Sequence, residues 1–322
     1  MGEFIRMKRG IIQSRGLGDI VIALPIARHY HEQGDEIIWP VCEEFVASFA
    51  AVAPWVTWVG VKTDPQGLFF LDTPLQVFDR MGVDRDAALY LYQYLNSAPD
   101  RTDPELFSIL KFDQYKYQIA GVPFGKKWTL DQCITRDPAR EQALLDQLGL
   151  EGPYVLTHLE GSSHRASVDL SWISEEYPAA RVVEITALTD NIFDWLGVIE
   201  GAAAVVCVDS VYANMIDQLQ VKGPDLYWIR RSGWDLTPVL MGDWTWVPCD
   251  LPIDEVKRVN PGAQAAAMRA AKNNTGLSSH VPFQTNPKGI PTNFMHAVKQ
   301  GGASTNIQAP NAAQRLLSGL GK

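Results

Sequence analysis

Near its start the chain alternates short apolar runs with segments of helical period, and this pattern constrains the fold more than any other feature. Gly10-Ile11-Ile12-Gln13-Ser14 reads as a strand and Arg15-Gly16-Leu17-Gly18-Asp19 as a turn. Ile20 to Gln33 reads as a helix, with apolar residues at Ile20, Ala23, Leu24, Ala27 and Tyr30. Pro25 lies inside that stretch and is expected to kink it or end its first turn. A strand over Glu36–Val41, a helix over Glu43–Ala53 and a strand over Val56–Val61 follow. Strands separated by helices imply crossover connections and hence a parallel sheet.

Residues 64–130 are less regular. Pro104 to Ala120 reads as an aromatic-rich helix, and Ala87 to Leu95 fits either a helix or a strand. A second strand–helix series opens near Gly152. Its strands are Tyr154–Glu160, Arg181–Ile185, Ala204–Val208 and Leu226–Ile229, with helices over Ile192–Gly201 and Val211–Leu219. The expected fold is therefore α/β, with two facing Rossmann-like domains joined near residues 125–150. The boundaries read as 1–145, 146–255 and a basic, irregular tail over 256–322. Ligands of such folds lie at the carboxyl ends of the strands, between the domains.

The 322 residues fit two domains at about 150 residues each. A hydrophobic content of 46% excludes a mostly disordered or fibrous chain. No run reaches the roughly 18 apolar residues of a membrane helix. Residues Met1 to Arg9 lack the apolar core of a signal peptide. Cys42, Cys133, Cys207 and Cys249 are scattered and read as buried free thiols, which fits a cytoplasmic location. The net charge of −9 argues against nucleic acid only on average. The last acidic residue is Glu255, and the eight basic residues after it contribute +8, so residues 1–255 carry −17. An acidic body thus bears a basic appendage.

Three turns offer chemistry. In Arg15-Gly16-Leu17-Gly18-Asp19, the glycines allow close backbone approach, and the helix start favours an anion. The pattern departs from GxGxxG, and Trp39-Pro40-Val41 supplies no acidic ribose ligand, which disfavours a dinucleotide dehydrogenase. Asp19 reads as a carboxylate base in the cleft, as a helix cap, or as both. Gly161-Ser162-Ser163-His164-Arg165 combines hydroxyls, amides and a guanidinium that suit a phosphate, or is an ordinary surface loop. In Asp209-Ser210-Val211-Tyr212-Ala213-Asn214, a buried strand meets a helix whose first amides would point at a diphosphate; the simpler reading is a pair of capping residues. The six histidines (His29, His31, His158, His164, His280, His296) show no metal-ligand spacing, so no metal or other cofactor is expected. No GxSxG elbow is present. Trp228, Trp234, Trp244 and Trp246 read as packing, with one available to stack on a base or sugar.

Taken in order, these turns resemble glycosyltransferase family 9, the heptosyltransferase-like enzymes with a GT-B fold. Gly18-Asp19-Ile20-Val21-Ile22-Ala23-Leu24-Pro25 is similar to the family's Gly-Asp-x-x-x-x-x-Pro start. Val205-Val206-Cys207-Val208-Asp209-Ser210 is similar to the strand leading into its Asp-(Ser/Thr)-Gly-x-x-His. The chain departs from that pattern at Val211, where the family has Gly, and at Asn214, where it has His. The family Lys after the second-domain glycine loop has no clear match, and Arg165 is the nearest substitute.

The resemblance implies a nucleotide-sugar donor in the second domain and a hydroxyl acceptor in the first. It implies inverting transfer with Asp19 as base. The leaving diphosphate's charge would be held by Ser162, Ser163, Arg165 and the amides at Ser210. Asp209 and Asn214 would complete the donor-binding set, and Arg15, Gly16 and Gly18 would form the acceptor-side loop. The implied acceptor is a surface glycan precursor. The basic tail admits a second acceptor, DNA with a hydroxymethylated base as in phage-type modification, bound through phosphate contacts. Eight charges over 67 residues are sparse, and the simpler reading is a tail that wraps the acidic body. The departures at Val211 and Asn214 also motivate an alternative: a degenerate GT-B protein that binds a sugar nucleotide or a partner without turnover.

Overall fold

A computed structural model describes residues 7–92, 110–161, 165–229 and 237–247. The expected tail over 256–322, the loop residues Ser162 and Ser163, Trp234 and Cys249 lie outside the described residues. Two sheets are present, and all their pairings are parallel. The first has the order β3-β2-β1-β4, from β1 (Lys8–Ile12), β2 (Glu36–Cys42), β3 (Thr57–Val61) and β4 (Leu89–Tyr90). The second has the order β6-β5-β7-β8-β9, from β5 (Tyr154–His158), β6 (Arg181–Glu184), β7 (Ala204–Val208), β8 (Asp225–Ile229) and β9 (Trp244–Val247). The expected mixed α/β, Rossmann-like class with parallel sheets is the one observed.

Sequence and structure differ in particulars. β1 begins two residues earlier than the apolar run suggested, because Lys8 and Arg9 pair with β2 and keep their charged ends at the rim. Gln13 and Ser14 lie beyond the strand, fully buried by their hydrogen bonds. The first helix, α1 (Leu17–Glu32), carries Pro25 in its interior and continues for two further turns. Pro25 removes the donor that would have bonded the Val21 carbonyl. The cost is offset by burial, since Ile20 through Ala27 are all buried and the Tyr117 hydroxyl donates to the Ile22 carbonyl at 2.9 Å. The ambiguous stretch 87–95 contributes the short strand β4. β9 was not anticipated: its tryptophans suggested packing, and Trp244 and Trp228 do meet edge-on at 5.2 Å inside the sheet's core.

The remaining helices are α2 (Glu43–Val52), α3 (Asp72–Met81), α4 (Phe112–Ala120), α5 (Pro138–Leu148), α6 (Trp172–Glu176), α7 (Trp195–Glu200) and α8 (Val211–Leu219). One continuous apolar cluster joins residues of both sheets, including Trp39, Phe49, Trp195 and Trp228. Within it Phe49 of α2 meets Phe193 edge-on at 5.8 Å. Helix α1 packs directly on α8.

Two buried carboxylates fasten the segment 237–244 to this frame. Asp113 and Lys127 form a fully buried ion pair at 2.7 Å, and Asp113 also accepts from the Val239 amide at 2.9 Å. Asp217 of α8 accepts from the amides of Met241 and Gly242, from the Trp244 indole and from the Trp128 indole. Such groups are tolerable only when every lone pair is used. Lys127→Met should therefore leave Asp113 buried and uncompensated, and lower stability by about 3–5 kcal/mol in urea unfolding. A loss below about 1 kcal/mol would contradict this account of the anchor.

Candidate functional site

Two strand-to-helix turns meet where α1 and α8 begin. Gly16 caps α1 with φ +85°, a left-handed conformation that suits glycine. Gly18, in the first turn of α1, lies against the start of α8. A Cβ there would sit 3.4 Å from Asn214 Nδ2 and 3.7 Å from the Val211 backbone. Gly18 thus marks where the two helix starts lie in van der Waals contact.

Asp19 is the third residue of α1 and does not cap it, which corrects the capping alternative. Its side chain is 38% exposed, and its Oδ1 pairs with Lys116 Nζ at 3.1 Å. Lys116 is buried on α4 and donates to Gln13 Oε1 at 2.6 Å and to the Leu91 carbonyl at 3.1 Å. Gln13 is itself fixed by donating to the Arg15 carbonyl. Arg15 is exposed beside this turn, with its guanidinium 5.6 Å from the Phe69 ring centroid. The Tyr92 hydroxyl accepts from the Arg15 amide at 2.8 Å, so the loop's backbone is held from below. Burial pushes the Tyr92 phenol well above its ordinary value, which keeps it neutral.

Across the seam, Asp209 is buried at the end of β7, and Ser210 is the residue before α8. The Ser210 hydroxyl does not cap the helix. It lies 3.0 Å from His158 Nδ1, at the end of β5. Asn214 donates to the Ser210 carbonyl at 2.8 Å, while its buried Oδ1 has no partner among the described residues. Arg165 stands apart from a free phosphate-binding role in this structure, because its guanidinium pairs with Glu184 at 2.5 Å and with Glu160 at 3.5 Å. The structure thus sets Gly18, on the turn that carries Arg15, Gly16 and Asp19, against Val211 and Asn214 at the start of α8, and leaves Arg165 engaged by two carboxylates.

Lys116 and His158 were missed in the sequence. Lys116 sits in an aromatic helix and His158 at the tip of an apolar strand, where neither has a local motif. The only signal for His158 was its position at a strand's carboxyl end, where cleft residues gather. Among the described residues, no group of three or more His, Cys, Asp or Glu side chains is placed to hold a metal ion. No helix among them is long and apolar enough to cross a membrane. Cys42, Cys133 and Cys207 are buried free thiols, and burial pushes Cys42 and Cys133 up to about 12.

No protein-family model matches the chain, and no curated protein sequence does. Among solved structures it is similar to a glycosyltransferase of family 9 from Veillonella parvula, at 10% identity and TM-score 0.47, covering 83% of this chain and 96% of that one. It is also similar to the iron-containing dodecameric glycosyltransferase TibC from enterotoxigenic E. coli H10407, at 13% identity and TM-score 0.43, covering 83% of this chain and 77% of that one. A third is the E. coli heptosyltransferase WaaC solved with ADP-2-deoxy-2-fluoro heptose, at 15% identity and TM-score 0.41, covering 83% of this chain and all of that one.

Burial lowers the His158 imidazole to about 4, against a smaller opposing pull from Glu184. A histidine with a depressed folded value contributes stability that is complete above the unfolded value near 6.5 and is lost as pH falls toward 4. The wild type should lose about 2–3 kcal/mol more than His158→Gln between pH 7 and pH 4.5, measured by urea unfolding. Parallel pH curves for the two proteins would contradict this assignment.

Proposed function

We propose that this protein is an inverting glycosyltransferase that moves a sugar from a nucleoside-diphosphate donor to a hydroxyl acceptor. The observation that carries the reading is the approach of Gly18 to Val211 and Asn214. It supports this reading because Gly18 directly precedes Asp19, whose carboxylate is half-exposed, and lies against the start of a nine-residue helix. Residues 1–145 are the acceptor domain in this reading, and residues 146–255 the donor domain.

The chemistry follows from the two halves. Asp19 takes the proton of the acceptor hydroxyl as its oxygen attacks the anomeric carbon. The bond from that carbon to the diphosphate breaks on the opposite face, so the configuration inverts. The departing nucleoside diphosphate gains negative charge. The amides and dipole at the start of α8 favour that charge, and the Ser210 hydroxyl adds a donor when His158 Nδ1 accepts nothing from it. Asp209 and Asn214 line the same turn, and Ser162, Ser163 and Arg165 supply further donors. Arg165 reaches a phosphate only by leaving Glu184 and Glu160. The mechanism assigns no step to a metal ion. The heptosyltransferase relatives in the structural comparison make a nucleotide-sugar donor the first class to try.

Asp19→Asn keeps the shape of the side chain and removes its basicity. It should lower turnover of a nucleotide sugar by about a hundredfold or more, while the nucleoside diphosphate still raises the melting temperature. Wild-type turnover in this variant would rule out the base assignment. Diphosphate binding with no turnover in the wild type, across UDP-, GDP- and ADP-sugars and several hydroxyl acceptors, would favour the binding-only alternative.

The acceptor proposal is a surface glycan precursor in the cytoplasm, with hydroxymethylated phage-type DNA as the second candidate. The +8 of residues 256–322 is what favours the second. Deleting residues 257–322 should abolish salt-sensitive DNA binding in a mobility-shift assay if DNA is the acceptor. Binding that is absent, or unchanged by the deletion, would dispose of that candidate.

A further inference from the structure

We propose that Lys116 is a positioning residue for Asp19, and that it makes Oδ2 the oxygen that takes the acceptor's proton. The proposal rests on the reading of Asp19 as the base. It draws on a different observation, the arrangement around the carboxylate itself.

Asp19 is the only acid that pairs with Lys116 among the described residues. The ammonium is anchored independently of that pair, by Gln13 Oε1 at 2.6 Å and the Leu91 carbonyl at 3.1 Å. Gln13 and Leu91 are fully buried. The Phe112 and Tyr92 ring centroids each lie 6.0 Å from Nζ. A buried cation so fixed has little freedom to follow a moving partner, so the partner's Oδ1 must come to it.

The other oxygen is placed by an absence. Oδ2 lies over Gly16, where an added Cβ would be only 2.5 Å away. A side chain at Gly16 and this carboxylate pose exclude each other. Oδ1 is thus committed to Lys116, and Oδ2 lies by the glycine turn, in a side chain that is 38% exposed overall. A carboxylate held in one rotamer presents the same lone pair to each incoming hydroxyl, which is how a positioning contact raises a rate without touching the substrate.

The test is a cycle of Lys116→Met, Asp19→Asn and the double variant. Release of nucleoside diphosphate from UDP-glucose, GDP-mannose and ADP-glucose is followed with each protein. Lys116→Met should lower kcat by about a hundredfold with little change in donor KM, and the double variant should be no slower than Asp19→Asn alone. A merely structural role would instead raise donor KM with the loss of kcat, or slow the double variant further. Wild-type kcat in Lys116→Met, with Asp19→Asn inactive, would overturn the positioning role and leave the base reading intact. Wild-type turnover in Asp19→Asn would sink the base reading itself.

A second measurement needs neither turnover nor a stable Lys116 variant. The side-chain ammonium of Lys116, buried and hydrogen-bonded, should give a nitrogen–proton NMR resonance protected from solvent exchange. Asp19→Asn should shift that resonance, and Gly16→Ala, which displaces the carboxylate, should shift it the same way. An ammonium signal unmoved by both substitutions would mean that the two side chains do not meet in solution, and would overturn the proposal.

Discussion

The rest of the site depends on the contact between the first turn of α1 and the start of α8. Each helix leads out of a parallel strand, so each carries its polar turn at the carboxyl edge of its own sheet. Left alone, those edges would be two separate surfaces. Gly18 against Val211 makes them one. The apolar cluster beneath, shared by both sheets, holds that seam closed. The buried bonds of Asp217 tie α8 to the segment before β9. Helix α8 therefore joins the fold's stability to the candidate site. One end of it faces the candidate site, and its interior carboxylate organises the surrounding backbone.

The two turns are chemically unlike. On the first, a carboxylate is held by a buried ammonium, with an exposed guanidinium nearby. On the second, a hydroxyl and a neutral imidazole stand at a helix start. In the proposed reaction, these two turns would divide the labour of group transfer between a hydroxyl and a phosphate-activated sugar. The neutrality of His158 matters in this arrangement, because a charged imidazole is costly in so buried a position.

Much of the fold was legible. The alternation of short apolar runs and helical segments gave parallel sheets, and β7 and α8 fall on the residues expected, because an all-apolar five-residue run bounded by Asp209 admits little else. Pro25 misled because a local propensity was outweighed by the burial of eight consecutive residues around it. β9 was obscured because an edge strand rich in tryptophan has no clean alternation. At the site, glycine-containing turns could be read from local spacing. Lys116 and His158 could not. Lys116 reaches Asp19 across 97 positions of chain, and His158 reaches Ser210 across 52, so only the folded topology brings them together. Arg165 shows the converse: a residue type suited to phosphate is drawn to the nearer charges of Glu184 and Glu160.

The central claim is that one ligand spans both turns. A crystal structure of the protein with a nucleotide sugar that raises its melting temperature tests this most directly. The account predicts the diphosphate on the amides at the start of α8 beside Ser210, with the anomeric carbon turned toward Asp19. A diphosphate seated away from Ser210, or a sugar turned away from Asp19, would contradict it.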